Sequence, residues 1–264
     1  MRKHGILALL ACIVAVLAVA GAGCTETVDQ TGGAGLKDSY IVGIDDAYMP
    51  FSYIDKDGKA QGFDVDSMKW IAEKNGIKVT FLGVDWDSII PALQAGKIDM
   101  VYAGMSITPE RQEQVSFSNP YWTVVQDVAV REDSDITIED VRAGKVVLGA
   151  QRGCTGALWI EDALVDKGLM PAGNLKLYKD TPLAVEDLKA GRVDAVMYDD
   201  VSLKDIIRGQ PVKIIGSVET QEQESFGVAI RKEDTALLEF MNRAIAELRA
   251  DPYWEELKEK HNLK

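Results

Sequence analysis

The sequence is poor in cysteine and histidine, with three cysteines and two histidines among its 264 residues. His4, Cys12 and Cys24 all lie in the first 24 residues, so a chain processed near that point would keep one histidine, His261, and one internal cysteine, Cys154. This argues against a zinc site of several histidines and cysteines, and against a Ser–His–Asp triad. Since Cys154 would have no internal partner, no disulfide is expected.

Basic residues are also scarce: 29 lysines and arginines face 42 aspartates and glutamates, which gives a net charge of −13. Binding to nucleic acid requires a basic surface, so nucleic acid is not an expected partner. The remaining composition, 47% hydrophobic and 27% charged, is that of an ordinary globular protein. The length allows one large domain or two of about 100–150 residues.

The first 23 residues have the pattern of a secretory signal peptide. Basic residues 2–3 precede an uncharged run, and the apolar stretch at 6–20 is short for a membrane span. Gly21 to Gly23 lead into Cys24, which resembles the lipidated cysteine of a lipoprotein signal, although Gly21 stands where leucine is usual. Ordinary signal cleavage is the alternative. The sequence predicts an extracytoplasmic protein, in the periplasm or at the outer face of the cytoplasmic membrane, anchored by lipid at Cys24.

Residues 24–38 are rich in Thr, Gly, Asp and Gln and read as a flexible tether. Beyond them, β-prone runs alternate with helical patterns. Asp64 is expected to cap a helix with one apolar side, and Gly96 to close a helix over 88–95. A further helix is expected over 157–167, after the glycines at 153 and 156. This alternation predicts an α/β fold with parallel sheets.

Two pairs of segments repeat within the chain. Residues 93–101 match residues 188–196 at Leu, Ala, Gly, Asp and Val, and Val-Gly-Ile-Asp at 42–45 resembles Leu-Gly-Ala-Gln at 148–151. Such Ala-Gly-Lys/Arg segments are also common helix-to-strand connections. Taken together, the repeats predict two similarly built lobes.

The chain is expected to cross between these lobes twice, along strand-like segments at 122–130 and 225–230. Lobe 1 would then comprise residues 39–126 and 222–264, and lobe 2 residues 127–221. Two crossings restrict relative motion to a hinge, which suits closure over a ligand.

Polar and aromatic side chains follow the predicted strands, where open α/β sheets bind their ligands. An arginine can hold a carboxylate through two hydrogen bonds, and an aspartate can accept from an ammonium group. Each side chain taken alone has an ordinary reading: a solvated arginine, a helix cap or a core aromatic. Their shared position predicts a site for a free amino acid. The candidate residues are Asp45, Tyr48, Trp86, Gly104, Ser106, Arg111, Gln151, Thr155, Gly156 and Asp199.

Six motifs together resemble family 3 of the solute-binding proteins, the extracytoplasmic polar amino-acid-binding proteins of ABC importers. The resemblance covers nearly all of residues 40–264. It implies a two-lobed, type II periplasmic-binding-protein-like fold with two hinge crossings and a ligand cleft between the lobes. The motifs lie at residues 45–51, 62–66, 90–94, 104–111, 117–121 and 193–196.

The resemblance also implies roles for the two ends of the ligand backbone. Arg111 would bind the α-carboxylate, together with Thr155 and nearby backbone N–H groups. Asp199, Ser106 and the carbonyl of Gly104 would bind the α-ammonium. Serine stands at 106 where threonine is frequent in the family, and the hydroxyl is kept.

The side chain of the ligand would lie among Asp45, Tyr48, Trp86 and Gln151. Cys154 departs from the threonine frequent at its position and would act only through its backbone. An aspartate with two aromatic residues is most similar to members that bind arginine, lysine or histidine, although glutamine-binding members also carry that aspartate.

The expected function is therefore capture of a free L-amino acid by a monomer and its delivery to an ABC permease, without cofactor, metal or catalytic residue. The alternatives are glutamine or another polar amino acid as ligand, a non-amino-acid solute such as an opine, a ligand-sensing ectodomain, and an enzyme resembling cyclohexadienyl dehydratases.

Overall fold

The computed structural model describes residues 35–220 and 224–263. The predicted signal peptide, the candidate lipidation site Cys24 and the tether up to residue 34 lie outside them. The end of the predicted tether is not free, because the ammonium of Lys37 lies 2.6 Å from the carboxylate of Asp99. Within the described part of the chain, no helix is both long enough and apolar enough to cross a membrane.

The strands are short and most are buried. They are β1 (Ser39–Ile44), β2 (Ala47–Tyr48), β3 (Ser52–Ile54), β4 (Ala60–Gln61), β5 (Lys78–Gly83), β6 (Met100–Val101), β7 (Ser116–Phe117), β8 (Trp122–Val124), β9 (Gln126–Arg131), β10 (Leu148–Gln151), β11 (Leu175–Tyr178), β12 (Ala195–Asp199), β13 (Val212–Val218), β14 (Glu224–Phe226) and β15 (Ala229–Ile230).

Helices alternate with these strands, as the sequence predicts. They are α1 (Phe63–Asn75), α2 (Ile89–Gln94), α3 (Pro109–Gln114), α4 (Ile138–Arg142), α5 (Thr155–Ile160), α6 (Thr181–Lys189), α7 (Asp200–Ile206), α8 (Thr235–Ala250) and α9 (Tyr253–Lys260).

The described strands form two five-stranded sheets of the same design. The first has the order β5-β1-β6-β15-β7, and the second β11-β10-β12-β9-β13. In each, three strands are parallel and the fourth is antiparallel to its neighbours. A smaller three-stranded sheet has the order β2-β3-β4. We call the first five-stranded sheet, this smaller sheet and helices α1, α2, α3, α8 and α9 lobe 1, and the second five-stranded sheet with α4 to α7 lobe 2. The parallel α/β prediction is confirmed, with an antiparallel strand added in each sheet.

The strand register explains the internal repeat. Gly43 of β1 lies opposite Val101 of β6, and Gly149 of β10 lies opposite Val196 of β12. The two segments that match in sequence are therefore paired in the same register in both lobes. A Cβ at position 43 would lie 2.3 Å from a methyl carbon of Ile98, so glycine at this position leaves room for the Ile98 side chain against β1.

The lobes are joined by a two-stranded antiparallel sheet of β8 and β14. Along the chain, β8 leads from lobe 1 into lobe 2, and β14 leads back again. Both crossings are strands, as the β-prone residues at 122–130 and 225–230 predict.

Three local predictions were wrong in detail. Asp64 does not cap α1, which begins at Phe63 after Gly62, because its buried carboxylate accepts hydrogen bonds from lobe 1 groups instead. The helix predicted over 88–95 begins as a 3₁₀ turn at Trp86–Ser88 and continues as α2. The helix predicted over 157–167 begins earlier, as α5, and continues as a π-helical turn over Glu161–Val165.

Candidate ligand-binding site

The ends of strands from both lobes open onto one pocket. It contains nine of the ten candidate residues and adds Ala103, Cys154 and Tyr198. The exception is Gly156, which lies in the first turn of α5. A Cβ on Gly156 would lie 2.8 Å from the side-chain oxygen of Gln126, so Gly156 allows close packing behind the pocket rather than lining it. The lining residues are Asp45, Tyr48, Trp86, Ala103, Gly104, Ser106, Arg111, Gln151, Cys154, Thr155, Tyr198 and Asp199.

Arg111 reaches the pocket from the first turn of α3. The hydroxyl of Thr108 accepts a hydrogen bond from the backbone N–H of Arg111 and so caps this helix. The guanidinium donates to the carbonyl oxygen of Ser106 at 2.8 Å and to that of Gly153, in lobe 2, at 3.0 Å. Its carbon Cζ lies 5.4 Å from the centre of the Trp86 ring, in a cation–π arrangement.

Arg111 is a buried cation, 6% exposed. Among the described residues, no carboxylate oxygen forms an ion pair with it within 4.0 Å. Burial lowers the pKa of Arg111 from its ordinary value, although arginine keeps its charge at any physiological pH. A buried charge is costly unless it is paired, so the guanidinium favours an anionic group in the pocket.

Asp199 lies at the end of β12, on the other lobe. One of its carboxylate oxygens accepts a hydrogen bond from the hydroxyl of Tyr48 at 2.6 Å, which links the lobes directly. The other accepts from the side-chain amide of Gln126. Burial, followed by the nearby charge of Glu224, raises the pKa of Asp199 to about 7. A cationic group beside Asp199 would lower this pKa and favour the ionised carboxylate.

Glu224 is a site residue that the sequence reasoning missed. It lies on β14 and is 3% exposed. Its carboxylate accepts hydrogen bonds from the hydroxyl of Ser106 at 2.7 Å and from that of Thr155. In the sequence it ends a polar run at 219–224, where an acidic residue usually faces solvent. Only the pairing of β14 with β8 brings it inside the protein.

A second set of pocket contacts is built around Asp45, which is 4% exposed. Its carboxylate accepts from the backbone N–H of Ala47 at 2.9 Å and from the side-chain amide of Gln151 at 2.9 Å. The hydroxyl of Tyr198 donates to the amide oxygen of Gln151 at 2.6 Å and fixes the direction of that amide. Burial is the largest cause that raises the pKa of Asp45 to about 6.

The aromatic residues combine two functions. Tyr48 is a core residue as well as a pocket wall, since its ring stacks on Phe51 with centroids 5.2 Å apart while its hydroxyl reaches Asp199. Trp86 is less buried, and its indole N–H donates to the carbonyl oxygen of Gly153 at 3.2 Å. Tyr48 therefore belongs to the core and also lines the pocket.

Gly104 is placed in the pocket by Asp64. The carboxylate of Asp64 accepts from the backbone N–H of Gly104 at 2.7 Å and from the hydroxyl of Tyr121 at 2.8 Å. Gly104 has a φ of +58°, and a Cβ there would lie 2.2 Å from the ring of Tyr48. Only glycine fits this backbone.

Cys154 has a structural role at the start of α5. Its Sγ accepts from the backbone N–H of Ala157 at 3.4 Å. Burial raises the pKa of the thiol to about 12, so the reactive thiolate is disfavoured.

Two ion pairs connect the lobes at the rim of the pocket. Lys179 lies 2.9 Å from Asp85, and Arg152 lies 3.3 Å from Asp87. They flank Trp86 on both sides. Within residues 35–220 and 224–263, no group of three or more His, Cys, Asp or Glu side chains could hold a metal ion.

Two similar α/β lobes, a two-stranded connection and a polar pocket between them define a two-lobed solute-binding protein. Residues 40–264 match the family model described as bacterial extracellular solute-binding proteins, family 3. The chain belongs to this family, and the relatives named below are described as binding proteins.

Proteins of known ligand are among the similar chains. The ABC transporter arginine-binding protein 1 of Escherichia coli K12 is 30% identical over 86% of this chain and 92% of its own length. An ancestral arginine-binding protein bound to arginine superimposes with a TM-score of 0.77, at 37% identity over 85% of this chain and 98% of that one. An ancestral arginine-binding protein bound to glutamine gives 0.76, at 36% identity over 86% and 98%.

Proposed function

We propose that this protein captures a cationic amino acid, arginine, lysine or histidine, in the pocket between its lobes. The observation that carries the proposal is the presence of a buried, unpaired Arg111 and a buried Asp199 in one pocket, on opposite lobes. A free amino acid carries the two complementary charges on adjacent groups. Arg111 would bind the α-carboxylate and Asp199 the α-ammonium, so that the ligand holds the lobes together.

The balance of charges supports a cationic side chain. The buried carboxylates of Asp45 and Asp199 line the pocket, and that of Glu224 contacts two of its hydroxyls, against the single guanidinium of Arg111 among the lining residues. A neutral zwitterion leaves this excess of negative charge unchanged, whereas arginine or lysine reduces it by one. Asp45 has hydrogen-bond partners separate from those of Asp199, and it would bind the charged end of the side chain, between Tyr48 and Trp86.

Glutamine is the second candidate ligand. Asp45 and Gln151 already form a carboxylate–amide hydrogen bond, and a ligand amide could join the same network. Among the similar chains, one ancestral arginine-binding protein is bound to arginine and one is bound to glutamine, which supports glutamine as the alternative.

The proposal includes delivery of the ligand to an ABC permease, in agreement with the name of the Escherichia coli relative. Residues 39–126 with 222–264 and residues 127–221 would act as the two closing lobes of a monomer. The signal at residues 1–23 and Cys24 support export and a lipid anchor, with residues 24–38 as the tether. Expression of the full chain tests the anchor: the wild type should fractionate with membranes, and Cys24→Ser should be released.

A thermal-shift screen of the twenty amino acids tests the ligand class. A ligand at 100 times its dissociation constant adds about 2.7 kcal/mol to the free energy of unfolding. For a protein of this size that corresponds to roughly 5–10 °C. We expect arginine, lysine or histidine to give the largest shift and glutamate and aspartate none. A larger shift with glutamine would select the second candidate, and no shift with any amino acid would refute the proposed function.

A further inference from the structure

Glu224 contacts both lobes from the strand that joins them. On the lobe 1 side, the hydroxyl of Ser106 donates to its Oε1 at 2.7 Å. On the lobe 2 side, the hydroxyl of Thr155 donates to the same oxygen. Its Oε2 accepts from the hydroxyl of Thr220 at 2.7 Å. The side-chain amide of Gln126 lies 3.3 and 3.2 Å from the two oxygens.

These contacts fix the direction of the two pocket hydroxyls. A carboxylate has acceptors only, and a hydroxyl has a single hydrogen to donate. Once Ser106 and Thr155 donate to Glu224, each can offer the pocket only oxygen lone pairs. The amide of Gln126 strengthens this arrangement, since it donates to the Thr155 hydroxyl at 3.2 Å and also to Asp199.

We propose that Glu224 is a positioning residue that directs the hydroxyl oxygens of Ser106 and Thr155 toward the α-ammonium of the ligand. Together with Asp199 they form an acceptor-only end of the pocket, which receives an ammonium and repels a carboxylate. This changes the role expected for Thr155, whose backbone N–H remains available to the α-carboxylate while its hydroxyl faces the opposite charge. The inference rests on the proposed function, since it states which group of the proposed amino acid ligand lies beside Ser106, Thr155 and Asp199.

Glu224→Gln tests the proposal, because it keeps the size of the side chain and removes its charge. Two ligands are compared by isothermal titration calorimetry: L-arginine and 5-guanidinopentanoic acid, which lacks only the α-amino group. The weaker ligand is measured by competition. We expect Glu224→Gln to weaken L-arginine binding by at least tenfold and the desamino ligand by less than threefold.

Asp127→Asn is the matched control. Asp127 follows Gln126 on β9, is also 3% exposed, and binds Ser217 and Lys204 rather than the pocket. It should leave the affinity for both ligands unchanged. If Glu224→Gln weakens both ligands equally, Glu224 has only a structural role and the proposal is wrong. Unchanged binding of L-arginine in Glu224→Gln would also overturn it.

If Glu224→Gln does not fold, Ser106→Ala and Thr155→Val give the same ligand comparison. A preferential loss for L-arginine supports the proposal, and an equal loss contradicts it. If wild-type protein binds another amino acid instead of L-arginine, the proposed ligand class fails, but Glu224 is still tested with that amino acid and its desamino analogue. The two failures are therefore distinguishable.

Discussion

At the residue scale, Asp45 is the side chain on which ligand preference depends most. Its carboxylate is buried and accepts hydrogen bonds from the backbone N–H of Ala47 and the amide of Gln151. Asp45→Asn keeps the shape and removes the charge. We expect the affinity for arginine to fall by roughly 10–100-fold, as for loss of a charge-assisted hydrogen bond. Glutamine binding should change less, and calorimetry with both ligands measures the ratio. If the variant ranks its ligands by affinity in the same order as wild type, Asp45 does not bind the ligand side chain.

Asp45 and Asp199 together give ligand binding a pH dependence. Because the pKa of Asp45 is raised to about 6 and that of Asp199 to about 7, both carboxyl groups take up protons as the pH falls from 8 to 5. A cationic ligand requires the ionised forms, so its affinity should increase with pH over this range. Asp45→Asn should flatten the lower part of the profile. An arginine affinity independent of pH between 5 and 8 would contradict the assignment of both groups.

Asp64, which holds the backbone of Gly104, also gives the stability of the protein a pH dependence. Burial raises its pKa to about 8, so the folded protein holds this proton at pH values where the unfolded chain has released it. The contribution of Asp64 to the free energy of unfolding is therefore present at low pH and is lost as the pH rises from about 4 to about 8. Asp64→Asn removes the titrating group. The free energy of unfolding of this variant, relative to that of wild type, should therefore be higher at pH 9 than at pH 5.

Urea unfolding of both proteins at pH 5 and pH 9 measures the difference in free energy of unfolding between variant and wild type. The same difference at the two pH values would refute the prediction. Asp64→Ala is the contrasting variant, because it leaves the buried N–H of Gly104 without its acceptor. Such a group costs about 1–3 kcal/mol. This variant should be destabilised at both pH values.

The sequence predicted most residues of the pocket but not those that orient them. Asp45, Trp86, Arg111 and Asp199 follow strands, and the ends of parallel strands share one edge of a sheet, so local patterns were enough. Glu224 is 118 residues from Ser106, and nothing in its own neighbourhood marks it as buried. Its role depends on which distant strand β14 pairs with, and no short-range pattern encodes that choice.

At the element scale, the turn between β5 and α2 contacts lobe 2 through two ion pairs. Asp85 and Asp87 on this turn pair with Lys179 and Arg152 of lobe 2, and Trp86 lies between them. These four charges are exposed, and exposed pairs contribute about 0–1 kcal/mol each. The double variant Asp85→Asn/Asp87→Asn should weaken ligand binding by about two- to fivefold at low salt.

High salt screens such pairs, so the difference from wild type should disappear near 1 M salt. Calorimetric titrations at both salt concentrations measure the effect. Asp57→Asn is the control, since Asp57 lies on an exposed turn of the β3–β4 hairpin. A defect that persists at 1 M salt would mean that the turn acts through Trp86 packing rather than through charge.

Helices and strands with a clear hydrophobic periodicity were predicted well, but the residues at which they begin and end were not. The apolar side of α1 and the β-prone crossing strands appear directly in the sequence. The start of α1 was misplaced because Asp64 resembles a cap, while its carboxylate is used by Gly104 and Tyr121. The wider π-helical turn after α5 has no local signal.

At the scale of the whole molecule, the internal repeat was the strongest guide. Two segments matched in sequence occupy the same register in two sheets of the same order, so a duplicated lobe could be inferred from the chain alone. How the lobes face one another could not be inferred, because it is set by contacts between residues far apart, such as Tyr48 with Asp199 and Asp45 with Gln151.

The central claim is that one amino acid is held by charges from both lobes at once. The most direct test is the affinity of Arg111→Ala for the best ligand of the screen, measured by isothermal titration calorimetry beside wild type and the exposed-site control Arg249→Ala. A micromolar complex has about 8 kcal/mol of binding free energy. Loss of the partner of a buried carboxylate costs about 3–5 kcal/mol. The account predicts affinity reduced by two orders of magnitude or more in Arg111→Ala and unchanged in Arg249→Ala; near-normal affinity in Arg111→Ala would contradict it.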